Sequence, residues 1–252
     1  MLVVGHPGHE LRVHGWLESA KPLVMVLTDG SGHHGTSRLG STATVLTEAG
    51  ATAGSVFGRW PDAALYRALL DRDTAFFIGL VEELADAIVH HRLTVVAGDD
   101  AEGYNPTHDV CRLIIDAAVA LARSPVREPI ANLAFALMDC PGQVGRGRVV
   151  RGQIVLDDAA LERKIAAALR YPEMAGEVAY ARKTWGDEAF RVEAFRRVSA
   201  GELWAPGDTP PFYEQYGRQQ VQAGKYAEVI QYDAHIRPLA DALSARALRQ
   251  AS

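Results

Sequence analysis

His6 and His9 in the string His6-Pro7-Gly8-His9-Glu10, and His108 in Asn105-Pro106-Thr107-His108-Asp109, are the residues whose types and spacing best suit metal chemistry. Imidazole is a common ligand for zinc, and a site with three protein ligands keeps a position open for water or substrate. A tight turn carrying two imidazoles can aim both at one ion, with the third ligand supplied from elsewhere in the fold.

The elements that must position these residues are legible around them. Leu2, Val3 and Val4 form a short apolar run that reads as a buried parallel strand; Gly5 ends it and Pro7 forces a turn. His6 and His9 therefore fall at a strand's carboxyl end, the edge of an open α/β sheet where ligands bind. Thr94-Val95-Val96-Ala97-Gly98 reads as a second buried strand, and the loop after it returns His108 to the same edge.

The remainder alternates strand and helix. Glu10 to Ser19 reads as a short helix, residues 22–27 as a strand, about 41–49 as a helix capped by Gly50, and 52–57 as a third strand. Apolar residues at helical spacing predict one helix over 71–90, and further patterns predict a helix over 110–122 and a strand over 130–137. Residues 141–152 read as a Gly- and Arg-rich loop or hairpin, Asp157 or Asp158 as the cap of a helix to about Leu169, and 187–198 as another helix. A last helix is expected from about Tyr226, interrupted by Pro238 and docked on the sheet layer. This order predicts an α/β, Rossmann-like fold, with a mostly parallel sheet covered by helices on both faces. One domain over 1–252 is expected, with a Pro-rich and helical C-terminal extension from about residue 200.

Composition narrows the function classes. The net charge is −5 with no basic stripe, so nucleic acid is not an expected partner. Met1 runs straight into a strand and no apolar stretch is long enough for a bilayer, which predicts a soluble, cytoplasmic protein without a membrane span. The two cysteines, Cys111 and Cys140, read as buried thiols rather than a disulfide framework. No dinucleotide glycine pattern follows the first strand, which argues against a nicotinamide cofactor. Oligomeric state is not readable.

The motifs together resemble the PIG-L / LmbE-like family of zinc-dependent de-N-acetylases. Val3-Val4-Gly5-His6-Pro7 with Glu10, Val26-Leu27-Thr28-Asp29-Gly30, and Pro106 with His108 match the family's motifs in order and spacing; 154–169 with Lys164, and 188–198, resemble its later segments. The resemblance covers most of residues 1–200. It implies an amide hydrolase that uses zinc, or another divalent transition metal, to cleave an N-acyl group from an amino sugar, glycoside or related small metabolite. His6 and His108 carry over as ligands, and His9 stands where the family has a ligating Asp. Gly8 replaces the general base, and Asn105 replaces a His that supports the oxyanion or leaving group.

Three neutral imidazoles leave an ion its full charge, so its water would ionise near about pH 7 without a strong base. Asn105 can donate to an oxyanion but cannot protonate a leaving amine. Asp109 and Glu10 are the candidates to manage protons, with Glu10 also a candidate partner for a ligand imidazole. Asp29 and Arg38 are the candidate substrate contacts. The alternative is a diverged, non-hydrolytic metal- or ligand-binding protein on the same fold, which Gly8 and Asn105 favour. His33 and His34 sit in a loop at the same edge, while His90 and His91 belong at the opposite edge, where a cation complements a helix end. Trp204, Phe212, Tyr213 and Tyr216 line either a substrate mouth or an interface.

Overall fold

The computed structural model describes residues 1–32, 35–123, 128–144 and 149–249. His33 and His34, and part of the expected loop over 141–152, lie outside them. The strands are β1 (Leu2–Val4), β2 (Leu23–Thr28), β3 (Thr52–Trp60), β4 (Val95–Asp99), β5 (Ala131–Phe135), β6 (Gly152–Val155) and β7 (Val192–Arg197). They form one seven-stranded sheet in the order β3-β2-β1-β4-β5-β7-β6. β1 to β5 run parallel, while β7 pairs antiparallel with both β5 and β6. The fold is α/β with a mostly parallel sheet, consistent with a Rossmann-like arrangement. The chain reverses its direction of winding between β1 and β4, and in open α/β sheets such a switch point is where a crevice forms at the strands' carboxyl ends.

The apolar runs of β1 and β2 are buried on both faces, as parallel strands between helix layers must be. Leu2, Val4, Val24 and Val26 enter one core with α1 (His14–Ala20), α2 (Leu39–Ala49) and α6 (Asp158–Leu169). Val3, Met25 and Leu27 enter the other with α3 (Asp62–Leu70), α4 (Thr74–His90) and α5 (Pro106–Ala122). The remaining helices are α7 (Ala175–Trp185), α8 (Phe212–Gln222) and α9 (Arg237–Leu248). No helix of the described residues is long and apolar enough to cross a membrane.

Several expected boundaries move for identifiable reasons. The helix expected over 71–90 starts at Thr74, because the Asp73 carboxylate accepts the Phe76 N–H at 3.1 Å and caps it; α3 is a separate helix before it. The helix expected over 187–198 is instead a short 3-10 turn, Asp187–Arg191, followed by strand β7. Glu193 and Arg196 of β7 are buried because they pair with Lys164 and Asp100, so hydrophobic periodicity does not report the face they occupy. The last helical segment starts at Tyr232 rather than about Tyr226, runs as a π-helical turn over Tyr232–Ile236 and changes to the α-helix α9 at Arg237, with Pro238 in the first α-helical turn. α9 docks on α4 and α5 rather than on the sheet. Of the two free cysteines, Cys111 is buried and Cys140 is partly exposed.

β1 and β4 approach closely beside the switch point. Gly98 pairs with Val3, and a Cβ at Gly98 would lie 2.3 Å from the Val3 carbonyl oxygen and 2.4 Å from Ile115 Cδ1. Gly98→Ala is therefore expected to cost roughly 1–3 kcal/mol, as overpacking a rigid core does. Urea unfolding should show a lower midpoint with an unchanged slope; an unchanged midpoint would mean that this contact does not constrain the sheet.

Candidate metal centre

After β1, the Gly5 N–H donates to Asp99 Oδ2 at 2.7 Å and its carbonyl accepts from Thr28 at the end of β2. The chain then makes a tight turn. Gly8 has φ of 102°, and its N–H donates to Glu10 Oε2 at 2.7 Å. A 3-10 turn over His9–Val13 leads into α1, so the expected helix begins with one tighter segment. On the other side of the crevice, the Asn105 side chain accepts the Thr107 N–H at 2.8 Å and caps α5, with Pro106 in the first turn. This sets His108 in the first turn of α5.

The three imidazoles meet. Ring centroids are 5.4 Å apart for His6 and His9, 5.5 Å for His6 and His108, and 4.7 Å for His9 and His108, each pair edge to face. His9 Nδ1 lies 2.8 Å from Asp99 Oδ2, and His6 Nδ1 lies 2.9 Å from both Asp62 Oδ1 and Thr28 Oγ1. Among the described residues, no three His, Cys, Asp or Glu side chains are drawn into a ready-made ligand cluster. The donor set nevertheless fits a metal in its chemistry. His6 Nε2 and His108 Nδ1 are buried with no hydrogen-bond partner, a costly state for polar atoms. Two imidazoles also give Nδ1 to a carboxylate, as metal-bound histidines commonly do.

The surroundings of His108 favour a neutral ring. Burial, followed by the neighbouring His9 and His6, holds the His108 imidazolium well below the usual histidine range, so its ring stays unprotonated for coordination. Burial opposes ionisation of Asp62, but contacts with His6, Thr28 and the Gly32 N–H outweigh it and hold the carboxyl well below the usual range. Asp62 is thus an anion beside His6.

The remaining sequence candidates are occupied in other ways. Glu10 is fully buried between the Gly8 N–H and the Thr42 hydroxyl, and burial pushes its carboxyl up to about 7. Asp109 accepts from the Glu102 and Gly103 N–H groups through Oδ1, and burial likewise pushes it up to about 7. It lines a small, partly open cavity of about 20 Å³ with Arg112, Asp116 and Arg196, to which none of the three histidines contributes. Asn105 Oδ1 also receives the Tyr66 hydroxyl at 3.4 Å. Asp29 accepts the Ser31 N–H at 2.9 Å, and its carbonyl accepts the Arg38 N–H at 2.9 Å; the Arg38 guanidinium reaches Glu177 of α7 at 3.9 Å. Asp29 and Arg38 therefore brace one loop.

Asp62, Asp99, Tyr66 and Met174 are not among the sequence candidates. An acidic residue closing a buried strand on the histidine edge is the available signal for Asp99; Asp62, at the first position of α3 after Pro61, reads as an ordinary helix-starting carboxylate. Met174 packs over the turn at Gly8. A Cβ at Gly8 would stand 2.0 Å from Met174 Sδ, so the space for a side chain at position 8 is filled by the thioether.

No protein-family model matches the chain, and no curated protein does. Among solved structures, the conserved protein TT1542 from Thermus thermophilus superposes with a TM-score of 0.52 at 20% identity, covering 82% of this chain and 98% of that one. At that identity the likeness concerns the fold.

Gly8→Asp is expected to lower the melting temperature, because the new Cβ would displace the Met174 thioether and the left-handed backbone carries a further strain of roughly 1–3 kcal/mol. Adding Met174→Ala should recover part of the loss, leaving the backbone share. A Gly8→Asp protein as stable as the wild type would contradict this picture of the turn.

Proposed function

We propose that the protein is a metal-dependent hydrolase that cleaves an N-acyl group from an amino sugar, glycoside or related small metabolite in the cytoplasm. The observation that carries this reading is the meeting of three imidazoles at the switch point, two braced by buried carboxylates, with His6 Nε2 and His108 Nδ1 buried and unpartnered. His6, His9 and His108 would hold zinc or another divalent transition ion. When bound, such an ion supplies Lewis acidity toward an acyl carbonyl and a water made acidic near neutral pH.

In this reading the chain's residues divide the remaining work. Asp99 and Asp62 orient His9 and His6 and favour the tautomers that present Nε2. Asn105, whose Oδ1 is engaged by the Thr107 N–H and Tyr66, keeps its amide NH2 as a donor toward an oxyanion. Glu10 and Asp109 act through the turns they brace. The motif resemblance to the PIG-L / LmbE-like de-N-acetylases supports the choice of an N-acyl substrate.

A second reading, a non-hydrolytic metal- or ligand-binding protein, is favoured by Met174 filling the space over Gly8. One assay separates the two: acetate release from a panel of N-acetylated sugars and glycosides, with zinc and with chelator. The hydrolase reading predicts metal-dependent release, abolished by chelator and reduced at least roughly 100-fold in Asn105→Ala, the size of effect seen when an oxyanion donor is lost. Thermal stabilisation by a panel member without any release would favour the binding protein.

A further inference from the structure

The three imidazoles are largely closed off from solvent. The side chains of His6 and His9 are 12% and 13% exposed, and His108 is 6% exposed. A ligand that enters or leaves this centre therefore needs part of the surrounding structure to move. One element packed on the histidine turn is weakly held: the segment from Pro172 to Trp185, a 3-10 turn (Pro172–Met174) followed by α7. Of the α-helices of the described residues, α7 alone has no buried residue. Elements with few buried apolar contacts open at the low end of a protein's range of local stabilities.

The segment's attachments converge on the histidine turn. Met174 is its only hydrophobic side chain that packs against either core of the described residues, and the thioether lies over Gly8, between His6 and His9 in the chain. The other ties are polar or distant: the Ser41 hydroxyl donates to Glu173 at 2.8 Å, Arg38 faces Glu177 at 3.9 Å, and the Arg12 guanidinium lies 6.0 Å from the Trp185 ring. Surface ties of this kind hold little. Both ends are suited to act as pivots. Tyr171 is buried, with its hydroxyl 2.8 Å from the Thr42 hydroxyl, and so fixes the chain just before the segment. Gly186, just after it, has φ of +75° and open space where a Cβ would stand.

We propose that residues 172–185 form a lid over the histidine turn, latched by the Met174 thioether and pivoting at Tyr171 and Gly186, and that its opening controls access to His6 and His9. The latch suits this role. A thioether is only a weak acceptor, so releasing it leaves no strong hydrogen bond unmade, and an unbranched side chain reseats readily. The lid opens without disturbing the sheet, because none of its contacts is with a strand of the parallel core other than through Met174. The proposal rests on the reading of the three imidazoles as a ligand centre, but not on hydrolysis or on which metal binds.

The test reads access to the imidazoles directly, so neither activity nor bound metal is needed. Full-length, chelator-stripped protein is treated with diethyl pyrocarbonate, which acylates accessible imidazole nitrogens, and labelling of His6 and His9 is followed by peptide mass spectrometry. The exposed His90 and His91 serve as the internal reference. Wild type is compared with the double variant Glu173→Ala, Glu177→Ala, which cuts two surface ties without touching the histidine turn, and with Met174→Ala; melting curves check folding. The lid predicts that the double variant labels His6 and His9 roughly twofold to tenfold faster than wild type, the range that two surface ties can carry, at an unchanged melting temperature. Met174→Ala should label faster still. Hydrogen exchange of the wild type should show the amides of 173–185 exchanging well before those of α5. A folded double variant that labels at the wild-type rate, or amides of 173–185 as protected as those of α5, would overturn the lid. Zinc uptake measured on the same samples separates this from the metal reading: faster labelling in a protein that takes up no zinc keeps the lid and removes the metal, and zinc uptake with unchanged labelling does the reverse.

Discussion

The carboxylate of Asp99 is the constraint on which the crevice depends. At the last position of β4 and fully buried, it uses one oxygen to accept the Gly5 N–H and to hold His9 Nδ1. That oxygen ties the end of β1 to the end of β4 across the point where the sheet reverses its winding. A lone buried carboxylate is costly, and here its partners lie at the carboxyl ends of two neighbouring strands and their following turn. The orientation of His9 is therefore set by the sheet itself. Asp62 makes a similar link for His6 from the start of α3 and receives the Gly32 N–H of the loop after β2. Both links place rigid elements behind the imidazoles, as a precise ligand site requires.

Buried charges also organise the half of the sheet that departs from parallel pairing. Glu193 of β7 accepts the Gly15 and Trp16 N–H groups at the start of α1 and pairs with Lys164 of α6 at 2.8 Å. Arg196 of the same strand pairs with Asp100, just past β4, and with Glu202. The antiparallel strand thus supports both sides of the crevice: α1 follows the histidine turn, and Asp100 opens the loop that leads to Asn105. Removing one member of such a buried pair leaves the other uncompensated, so these contacts act more as registers for β7 than as large sources of stability.

The parallel half of the fold is legible in the sequence because local pattern and tertiary role agree there. Runs such as Leu2-Val3-Val4 and residues 24–27 are buried on both faces, so apolarity alone identifies them. Pairing of His6 and His9 follows from a turn at a strand end, and His108 from the next strand's loop. The carboxylates behind them are not legible, since Asp99 meets His9 across 90 positions and Asp62 looks like any other helix start. β7 reads as a helix because its buried residues include a Glu and an Arg whose partners are distant in the chain. Met174 gives no signal at all: no local pattern links position 174 to the backbone at Gly8.

The central claim is that His6, His9 and His108 hold one divalent metal ion in this crevice. Elemental mass spectrometry of the purified wild-type protein and of a folded His108→Ala variant, both after equilibration with zinc and removal of the excess, tests it most directly. The account predicts about one ion per wild-type chain, bound through three imidazoles, and loss of that ion in the variant. A wild type that retains no metal, or a variant that retains it in full, would contradict the three-histidine centre.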